Sequence, residues 1–284
     1  MTRPRVDVGI VSWNTRDLTL DAIDRVLAAS PDVDLRVLVR DNGSVDGTAD
    51  AVRDRFPDAV LDVGENVGFA RGVNALLDRS DAPWFVTLNS DAWPEPGALR
   101  RLVEVAQAHP RTAAVAPTLL RPDGTPEQAV HDMPSLRGAA RAALRRTPPP
   151  AGPVVGWAVG AALLLRRSSV DELGGLDPSL FMYAEDLEWC WRATRAGWEV
   201  RSAPEAVVRH VGNASGRQRW GDRREAVAIG NANRVVRRYL GPVRGRAWQG
   251  INALGALRAG MTRDADRRRF WWRQVPAHLG AARR

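Results

Sequence analysis

Residues 84–91 read WFVTLNSD, and this stretch decides the fold. Five apolar or β-favouring residues are followed at once by Asn89, Ser90 and Asp91, which is the pattern of a buried strand that ends in polar residues. Three similar strand patterns precede it, and a helical pattern follows each of them. The predicted strands cover residues 6–11, 35–39, 59–63 and 84–88, and the predicted helices cover residues 15–29, 46–56 and 69–79.

This alternation of strands and helices predicts an α/β fold, in which helices cover both faces of a mainly parallel sheet. In such sheets, ligands bind where the carboxyl ends of the strands meet. A polar cluster follows each of the four predicted strands. The clusters are Ser12-Trp13-Asn14, Asp41-Asn42, Glu65-Asn66 and Asn89-Ser90-Asp91. We therefore expect a single ligand crevice along this edge of the sheet.

Several of these polar residues suit a phosphorylated ligand, although each cluster is also ordinary turn chemistry. Asp91 can hold a divalent cation that bridges diphosphate oxygens. Asp41 can accept hydrogen bonds from a nucleobase or a ribose. Arg71, near the start of a predicted helix, can meet a phosphate. The chain has neither a P-loop lysine nor the G-x-G-x-x-G order, so these two phosphate-binding motifs are excluded.

Residues 181–192, FMYAEDLEWCWR, place three carboxylates at the start of a predicted helix. Acidic residues in a first helical turn complement the helix dipole, and Glu188 can pair with Arg192 one turn later. A general base would also sit in such a partly apolar setting. The local pattern leaves both interpretations open for Glu185 and Asp186.

The rest of the second half shows less regular patterns. Residues 154–166 predict one or two buried strands, and residues 198–201 and 206–209 predict two short ones. His210 comes directly after the last of these strands. A lone histidine is usually structural, but one that faces the crevice can complete a metal shell with Asp91.

The composition is that of a folded globular protein. Of the 284 residues, 44% are hydrophobic and 26% are charged, which excludes disorder throughout. The single cysteine, Cys190, excludes an intramolecular disulfide and favours a reducing compartment. The longest uncharged apolar run, Val154–Leu165, is too short to span a bilayer. Residues 145–150, RRTPPP, predict an exposed loop, and residues 1–5 do not fit a signal peptide, so we expect a cytoplasmic protein.

Positive charge is concentrated towards the C-terminus. All 41 basic residues are arginine, and 19 of them lie in residues 201–284 beside only 5 acidic residues. This segment therefore carries a net charge of +14, whereas residues 1–200 carry −6. The asymmetry indicates an anionic partner, such as a diphosphate substrate, an anionic membrane surface or a nucleic acid, or else a solvated basic tail.

Taken together, eight segments resemble the inverting family-2 glycosyltransferases of GT-A fold, particularly their bacterial rhamnosyltransferase-like branch. The resemblance runs over about residues 6–216. The segments, which occur in family order, are Val11–Asn14, Asp41–Thr48, Asn66–Asn74, Leu88–Asp91, Gly160–Arg167, Gly174–Asp177, Glu185-Asp186 and His210. Each motif alone is weak, but eight of them in register are specific.

The resemblance implies a nucleotide-diphosphate-sugar donor, a hydroxyl-bearing acceptor, and Mg²⁺ or Mn²⁺. It assigns Asp91 and His210 to the metal, and Asp186, with Glu185 beside it, to general-base catalysis. The expected donor-binding residues are Ser12, Asn14, Asp41, Asn66, Arg71, Asn74, Asn89 and Ser90. Asn89 departs from the family pattern, because it stands at the first carboxylate of the usual D-x-D. A neutral amide is a poorer ligand than a carboxylate, so the resemblance leaves the metal dependence open.

We expect residues 1–216 to form the GT-A catalytic domain, with a nucleotide-sugar-binding half at 1–115 and an acceptor and catalytic half at 116–216. Residues 217–284 are expected to form a helical, Arg-rich extension. Apolar residues recur there at roughly helical spacing among arginines, at Trp248, Ile251, Leu254, Leu257 and Met261. Such a helix suits peripheral attachment to anionic lipid on the inner face of the plasma membrane, which is useful if the acceptor is lipid-linked. It equally suits packing on the catalytic domain or across a homodimer.

Two other functions stay open from the sequence. One is a basic nucleic-acid-binding module with a degenerate nucleotide fold, and the other is a sugar nucleotidyltransferase. No recognition motif for DNA or RNA is visible, so we expect no nucleic-acid partner. The Gly-rich, Arg-bearing first loop of a nucleotidyltransferase is absent, because Ser12-Trp13-Asn14 stands in its place.

Overall fold

The computed structural model of the chain describes residues 2–144, 152–212, 214–261 and 264–280, so the loop predicted at residues 145–150 lies outside the described residues. The strands are β1 Arg5–Ser12, β2 Asp34–Asp41, β3 Val60–Val63, β4 Trp84–Asn89, β5 Ala92–Pro94, β6 Thr112–Leu120, β7 Pro126–Glu127, β8 Val130–His131, β9 Val154–Val155, β10 Trp157–Ala158, β11 Ala162–Arg166 and β12 Glu199–His210. The helices are α1 Arg16–Ala29, α2 Thr48–Arg55, α3 Phe69–Leu77, α4 Ala98–Ala108, α5 Leu136–Ala143, α6 Arg167–Leu173, α7 Glu185–Arg195, α8 Ala214–Trp220, α9 Arg224–Leu240, α10 Pro242–Gly260 and α11 Ala265–His278.

The first four strands form the parallel half of the central sheet, as predicted. They lie in the order β3-β2-β1-β4 and pair in parallel, with Ser12 opposite Asp41 and Val11 opposite Asn89. The carboxyl ends of β1, β2 and β4 therefore meet at one edge of the sheet.

The second half of the sheet is mixed. The order continues β4-β11-β6-β12-β5, in which β11 is antiparallel to both of its neighbours and β12 is parallel to β6. Because two reversals restore the direction of β4, strand β12 also ends at the ligand edge. This topology brings His210, the last residue of β12, to the same edge as Asn89 at the end of β4.

The prediction of two short strands at residues 198–201 and 206–209 is wrong, because β12 is a single strand of 12 residues. Its pairing with β6 shifts between Ala203 and Val207. Pro204 lies in this irregularity, where its missing N–H removes no ladder hydrogen bond. Pro204 therefore marks a bulge within one continuous strand.

Two hydrophobic layers pack on the opposite faces of the sheet. Side chains alternate between the faces along a strand, so Val86 belongs to the layer under α1 and α4, whereas Phe85 belongs to the layer under α3 and α7. Trp189 and Cys190 of α7 are fully buried in the second layer. Burial of one large apolar side chain stabilises the fold by roughly 1.5–3 kcal/mol, so these layers fix the strand ends that carry the polar residues.

The C-terminal helices pack on the sheet-bearing part of the chain through α9, which contacts α7, and through α10, which contacts α5. Tyr239 of α9 stacks on Trp191 of α7 with ring centroids 4.9 Å apart, and its hydroxyl donates to buried Glu188 at 2.7 Å. Glu188 also accepts from Arg192, as the spacing predicted. The alternatives for the apolar helix concern α10, which packs on α5, where Arg258 Nη1 donates to the Ala143 carbonyl at 3.0 Å. Membrane attachment and a homodimer stay predictions.

The predicted apolar stripe is only partly buried, because Trp248, Ile251 and Leu257 are half-buried. The buried residues of α10 are mostly small, among them Ala253 and Ala256, whereas Leu254 and Met261 are exposed. Small residues allow close packing of α10 against its neighbours, and the spacing of large apolar residues gives no signal of it. Among the described residues, we find no helix that is both long enough and apolar enough to cross a membrane.

Candidate active site

A cavity of about 450 Å³ lies at the carboxyl ends of β1, β2, β4 and β12. Its remaining walls come from the loop before α7 and from the inner faces of α8 and α9, where Ala228, Ile229 and Ala232 face it. Eight of the predicted site residues line it: Ser12, Asn66, Asn89, Ser90, Asp91, Glu185, Asp186 and His210. The strand ends and the start of α7 thus meet in one place, although they are far apart in the sequence.

Asp91 and His210 form one end of the cavity. His210 Nε2 lies 3.4 Å from Asp91 Oδ1 and 3.2 Å from Asn89 Nδ2. The other ring nitrogen, Nδ1, donates to Glu127 Oε2 at 2.9 Å. Burial lowers the pKa of His210, but its hydrogen bonds to Asp91 and Glu127 outweigh burial and raise that pKa to about 9.

Asp186 and Glu185 lie together in the first turn of α7. Asp186 Oδ2 accepts from the Gly160 backbone N–H at 2.9 Å, which fixes the direction of the carboxyl group. Burial raises the pKa of Asp186. Burial, together with the neighbouring charge of Asp186, raises the pKa of Glu185 well above its ordinary value. Among the described residues, Glu185 Oε2 is buried without a hydrogen-bond partner.

The loop that leads into α7 is held in a strained backbone conformation. Tyr183 and Ala184 both have positive φ angles, 72° and 70° respectively, which are costly for residues with a Cβ. Gly68 fixes the loop from the other side, because a Cβ there would lie only 2.3 Å from the Phe181 carbonyl oxygen. Packing of this loop therefore determines where α7 begins, and with it the position of Glu185 and Asp186.

Hydroxyl and amide groups also line the cavity. Ser12 and Ser90 are both buried, and each hydroxyl lies within hydrogen-bond distance of Thr15 Oγ1, at 3.1 and 3.0 Å respectively. Asn66 caps its own loop by accepting from the Gly68 N–H. Such neutral, pre-ordered groups are suited to hold the hydroxyl groups and phosphate oxygens of a ligand.

Four predicted donor-binding residues lie outside the cavity lining. Asn14 accepts from the Val45 N–H, Arg71 donates to the Pro178 carbonyl, and Asn74 exchanges two hydrogen bonds with the Leu176 backbone. Asp41 is buried behind the wall, where Oδ1 accepts from the Ser44 N–H. Its Oδ2 has no partner among the described residues, so it alone of the four has a free acceptor. The donor-binding role of these four residues stays a prediction.

Sequence reasoning missed two charged residues that line the cavity. Arg219 lies with its guanidinium carbon 4.5 Å from the Phe181 ring centroid and 5.7 Å from that of Trp13, an arrangement typical of cation–π contacts. Glu127 reaches the cavity from the two-residue strand β7. Neither position carried a local signal, because Arg219 is one of many arginines in its segment and Glu127 lies in a short, polar hairpin.

The residues at the Asp91 end fit a cation that a diphosphate shares. No group of three or more His, Cys, Asp or Glu side chains arranged to hold a metal occurs in the described part of the chain. Mg²⁺ is nevertheless often bound by one or two carboxylates together with substrate phosphates and water. Asp91 and His210 Nε2 supply two ligands of suitable chemistry, and Asn89 supplies a neutral group beside them.

Residues 7–174 match the family model described as glycosyl transferase family 2, which is more than half of the chain. The chain belongs to glycosyl transferase family 2. Among curated proteins, it is 34% identical over 210 residues to the N-acetylglucosaminyl-diphospho-decaprenol L-rhamnosyltransferase of Mycobacterium tuberculosis, covering 64% of this chain and 68% of the relative. It is 29% identical over 182 residues to the pre-mycofactocin glycosyltransferase of the same species, covering 62% of this chain but 37% of that protein.

Solved structures support the same fold. The mannosyltransferase of Pyrobaculum calidifontis, in complex with GDP-Man and Mn²⁺, superposes with a TM-score of 0.64 at 18% identity, covering 99% of this chain and 86% of that one. GalNAc-T7 with UDP, GalNAc and Mn²⁺ superposes with a TM-score of 0.65 at 13% identity, covering 99% of this chain and 57% of that one. The predicted GT-A-type α/β fold and the predicted glycosyltransferase activity are confirmed. The nucleic-acid-binding module and the nucleotidyltransferase are not favoured.

Proposed function

We propose that this family-2 glycosyltransferase moves rhamnose or a similar hexose from a nucleoside diphosphate to an acceptor hydroxyl, with inversion. The observation that carries the proposal is the common cavity, into which the Asp91–His210 end and the Asp186 carboxyl both open. In-line displacement needs a base on the acceptor side and charge stabilisation on the leaving-group side. The rhamnosyltransferase relative supports rhamnose as the transferred sugar.

The leaving diphosphate would be held at the Asp91 end. Asp91 and His210 Nε2 would bind Mg²⁺ or Mn²⁺, which supplies positive charge to the diphosphate oxygens. Mn²⁺ in the two related structures supports this assignment. Arg219 is the cavity-lining cation that would contact the same oxygens. Ser12 and Ser90 would orient the donor through hydroxyls that the Thr15 network fixes.

Asp186 would take the proton of the acceptor hydroxyl while the acceptor oxygen attacks the anomeric carbon of the donor sugar. The raised pKa of Asp186 brings the carboxyl closer to the pH at which a general base is most efficient. The Gly160 N–H holds Oδ2, so the oxygen that receives the proton has a defined direction. Glu185, beside it in the cavity, would bind the acceptor.

We further propose a lipid-linked acceptor at the inner face of the plasma membrane, within cell-envelope synthesis. The name of the mycobacterial relative specifies an acceptor on a decaprenyl diphosphate. The chain itself exposes Leu254, Met261 and Trp272 in its arginine-rich C-terminal segment, and this combination favours an anionic bilayer surface. Flotation with phosphatidylglycerol vesicles, compared with neutral vesicles, measures the association.

The function is tested with TDP-, UDP- and GDP-sugars, each with and without Mn²⁺, in thermal-shift and sugar-release assays. We expect TDP-rhamnose to stabilise the protein and to be slowly hydrolysed without acceptor. Asp186→Asn should reduce turnover by about 10²–10⁴-fold, because general-base assistance contributes that factor. TDP affinity should stay unchanged, as it should in the control Asp171→Asn, at an exposed carboxylate on α6. Near-normal turnover in Asp186→Asn would refute the base assignment.

A further inference from the structure

His210 has different partners on its two ring nitrogens. Nε2 faces Asp91 Oδ1 at 3.4 Å, whereas Nδ1 donates to Glu127 Oε2 at 2.9 Å. The residue is 3% exposed, so the imidazole ring is enclosed by the protein. The direction of Nε2 is thus fixed by a hydrogen bond on the opposite side of the ring.

Glu127 comes from a part of the chain that carries no other site residue. It belongs to β7, a two-residue strand that pairs with β6 and places Glu127 opposite Leu119. Its side chain is 23% exposed, and Oε2 lies 2.9 Å from His210 Nδ1. This carboxylate reaches from the short hairpin to the outer side of the imidazole.

We propose that Glu127 is a positioning residue for the divalent cation, which holds His210 so that Nε2 faces Asp91. The inference rests on the proposed function only in that a cation binds at Asp91 and His210. Glu127 contacts the ring nitrogen opposite to the ligating one, so it acts through His210 and does not bind the ion. An acceptor on the outer nitrogen fixes the tautomer and the orientation of the ring.

This role offsets the neutral residue at position 89. Asn89 lies 3.2 Å from His210 Nε2, beside the proposed cation, and contributes no charge there. Glu127 offsets this loss by fixing the ring through Nδ1, so that Nε2 stays directed at the cation. The site thus has two carboxylates, Asp91 and Glu127, one on each side of His210.

The test measures Mn²⁺ binding by calorimetry in the presence of TDP, for the full chain and three variants of Glu127. Glu127→Ala removes the partner of Nδ1, and Glu127→Asp keeps the charge but is one methylene too short to reach it. We expect both to bind Mn²⁺ about 10–100-fold more weakly, which is the usual effect of removing such a partner. Glu127→Gln keeps an oxygen that accepts from Nδ1–H, so its affinity should stay close to that of the wild type.

The matched control is Glu95→Gln, because Glu95 accepts from Arg209, the residue before His210, at 2.6 Å. It removes a carboxylate next to the same strand end and should leave Mn²⁺ affinity unchanged. Thermal unfolding of each variant shows that the protein is folded.

Three outcomes would overturn the inference. The first is that the wild type does not bind Mn²⁺, and the second is that Glu127→Asp and Glu127→Ala bind Mn²⁺ as tightly as the wild type. The third is that Glu127→Gln binds Mn²⁺ as weakly as Glu127→Ala. The last result would make Glu127 a direct or purely electrostatic partner of the ion. Failure of the proposed function looks different, because the wild type would then bind Mn²⁺ and TDP but cleave no sugar nucleotide.

Discussion

The substitution Tyr239→Phe removes one hydroxyl and tests whether α9 is a fixed wall of the active site. The hydroxyl donates to Glu188 Oε1 at 2.7 Å, and the Glu188 side chain is only 3% exposed. Arg192 keeps its contacts to both oxygens of Glu188, so the variant loses a single charge-assisted hydrogen bond. The phenyl ring that remains would preserve the stack on Trp191.

Loss of a hydrogen bond to a charged group costs about 1.5–3 kcal/mol. At about 2–3 °C per kcal/mol for a chain of this size, the melting temperature should fall by roughly 3–9 °C. Burial and the Glu188 hydrogen bond raise the pKa of Tyr239 to about 12, so the phenol is a donor across the accessible pH range. The destabilisation should therefore be the same at pH 6 and at pH 9.

Calorimetric or fluorescence melting measures the shift. Tyr239→Leu should lower the melting temperature further, because loss of the Trp191 stack removes about 0.5–1.5 kcal/mol more. The control Asp222→Asn breaks the exposed ion pair with Arg273 and should cost under about 1 kcal/mol. A shift in Tyr239→Phe no larger than that of the control would show that this contact does not hold α9 on α7.

Three further predictions concern the cavity itself. Gly68→Ala should destabilise the protein much more than Gly47→Ala in chemical denaturation. Both glycines have φ near +80° to +90°, but of the two only position 68 would bring the new Cβ against backbone, at 2.3 Å from the Phe181 oxygen. Equal losses of unfolding free energy in the two variants would contradict this packing. Glu185→Gln should raise the melting temperature, and this gain over wild type should grow with rising pH. A carboxyl whose folded pKa is raised stabilises the fold at low pH and loses that contribution as it ionises. A gain in melting temperature that is flat from about pH 5 to 8.5 would count against the buried acid. Arg219→Gln should weaken TDP binding by about 10–100-fold, which is the effect of losing one charge-assisted contact to phosphate. The control Arg246→Gln, on the exposed face of α10, should leave TDP binding unchanged. Similar TDP affinities in both variants would remove Arg219 from the donor site.

The parallel half of the fold was predictable because its signals are local. Each strand is a short apolar run, and each ends in polar residues that fall at the same edge, as Asn89 and Asp91 do. The family resemblance then placed Asp186 and His210 at this edge, and the structure brings both into the cavity with Asp91. Pairing of β11, β6 and β12 depends on contacts between distant segments, so periodicity gave no order for them.

The roles of individual polar side chains were harder to predict. Arg71 and Asn74 have the residue types expected for a phosphate or ribose, but the structure directs them at the backbone carbonyls of Pro178 and Leu176. A sequence does not distinguish a side chain that satisfies a loop from one that awaits a ligand. Glu127 and Arg219 illustrate the converse, since only the folded chain shows that they reach the cavity.

The inner face of α9 has a consequence for which molecules can enter. Ala228 and Ala232 stand one helical turn apart on this face, and neither offers a functional group. A leucine at either place would fill the space that the methyl groups leave open. We therefore expect the width of the molecules that enter to depend on two side chains that take no part in bond making, so that exchanging them changes which acceptors fit while the reacting groups stay where they are.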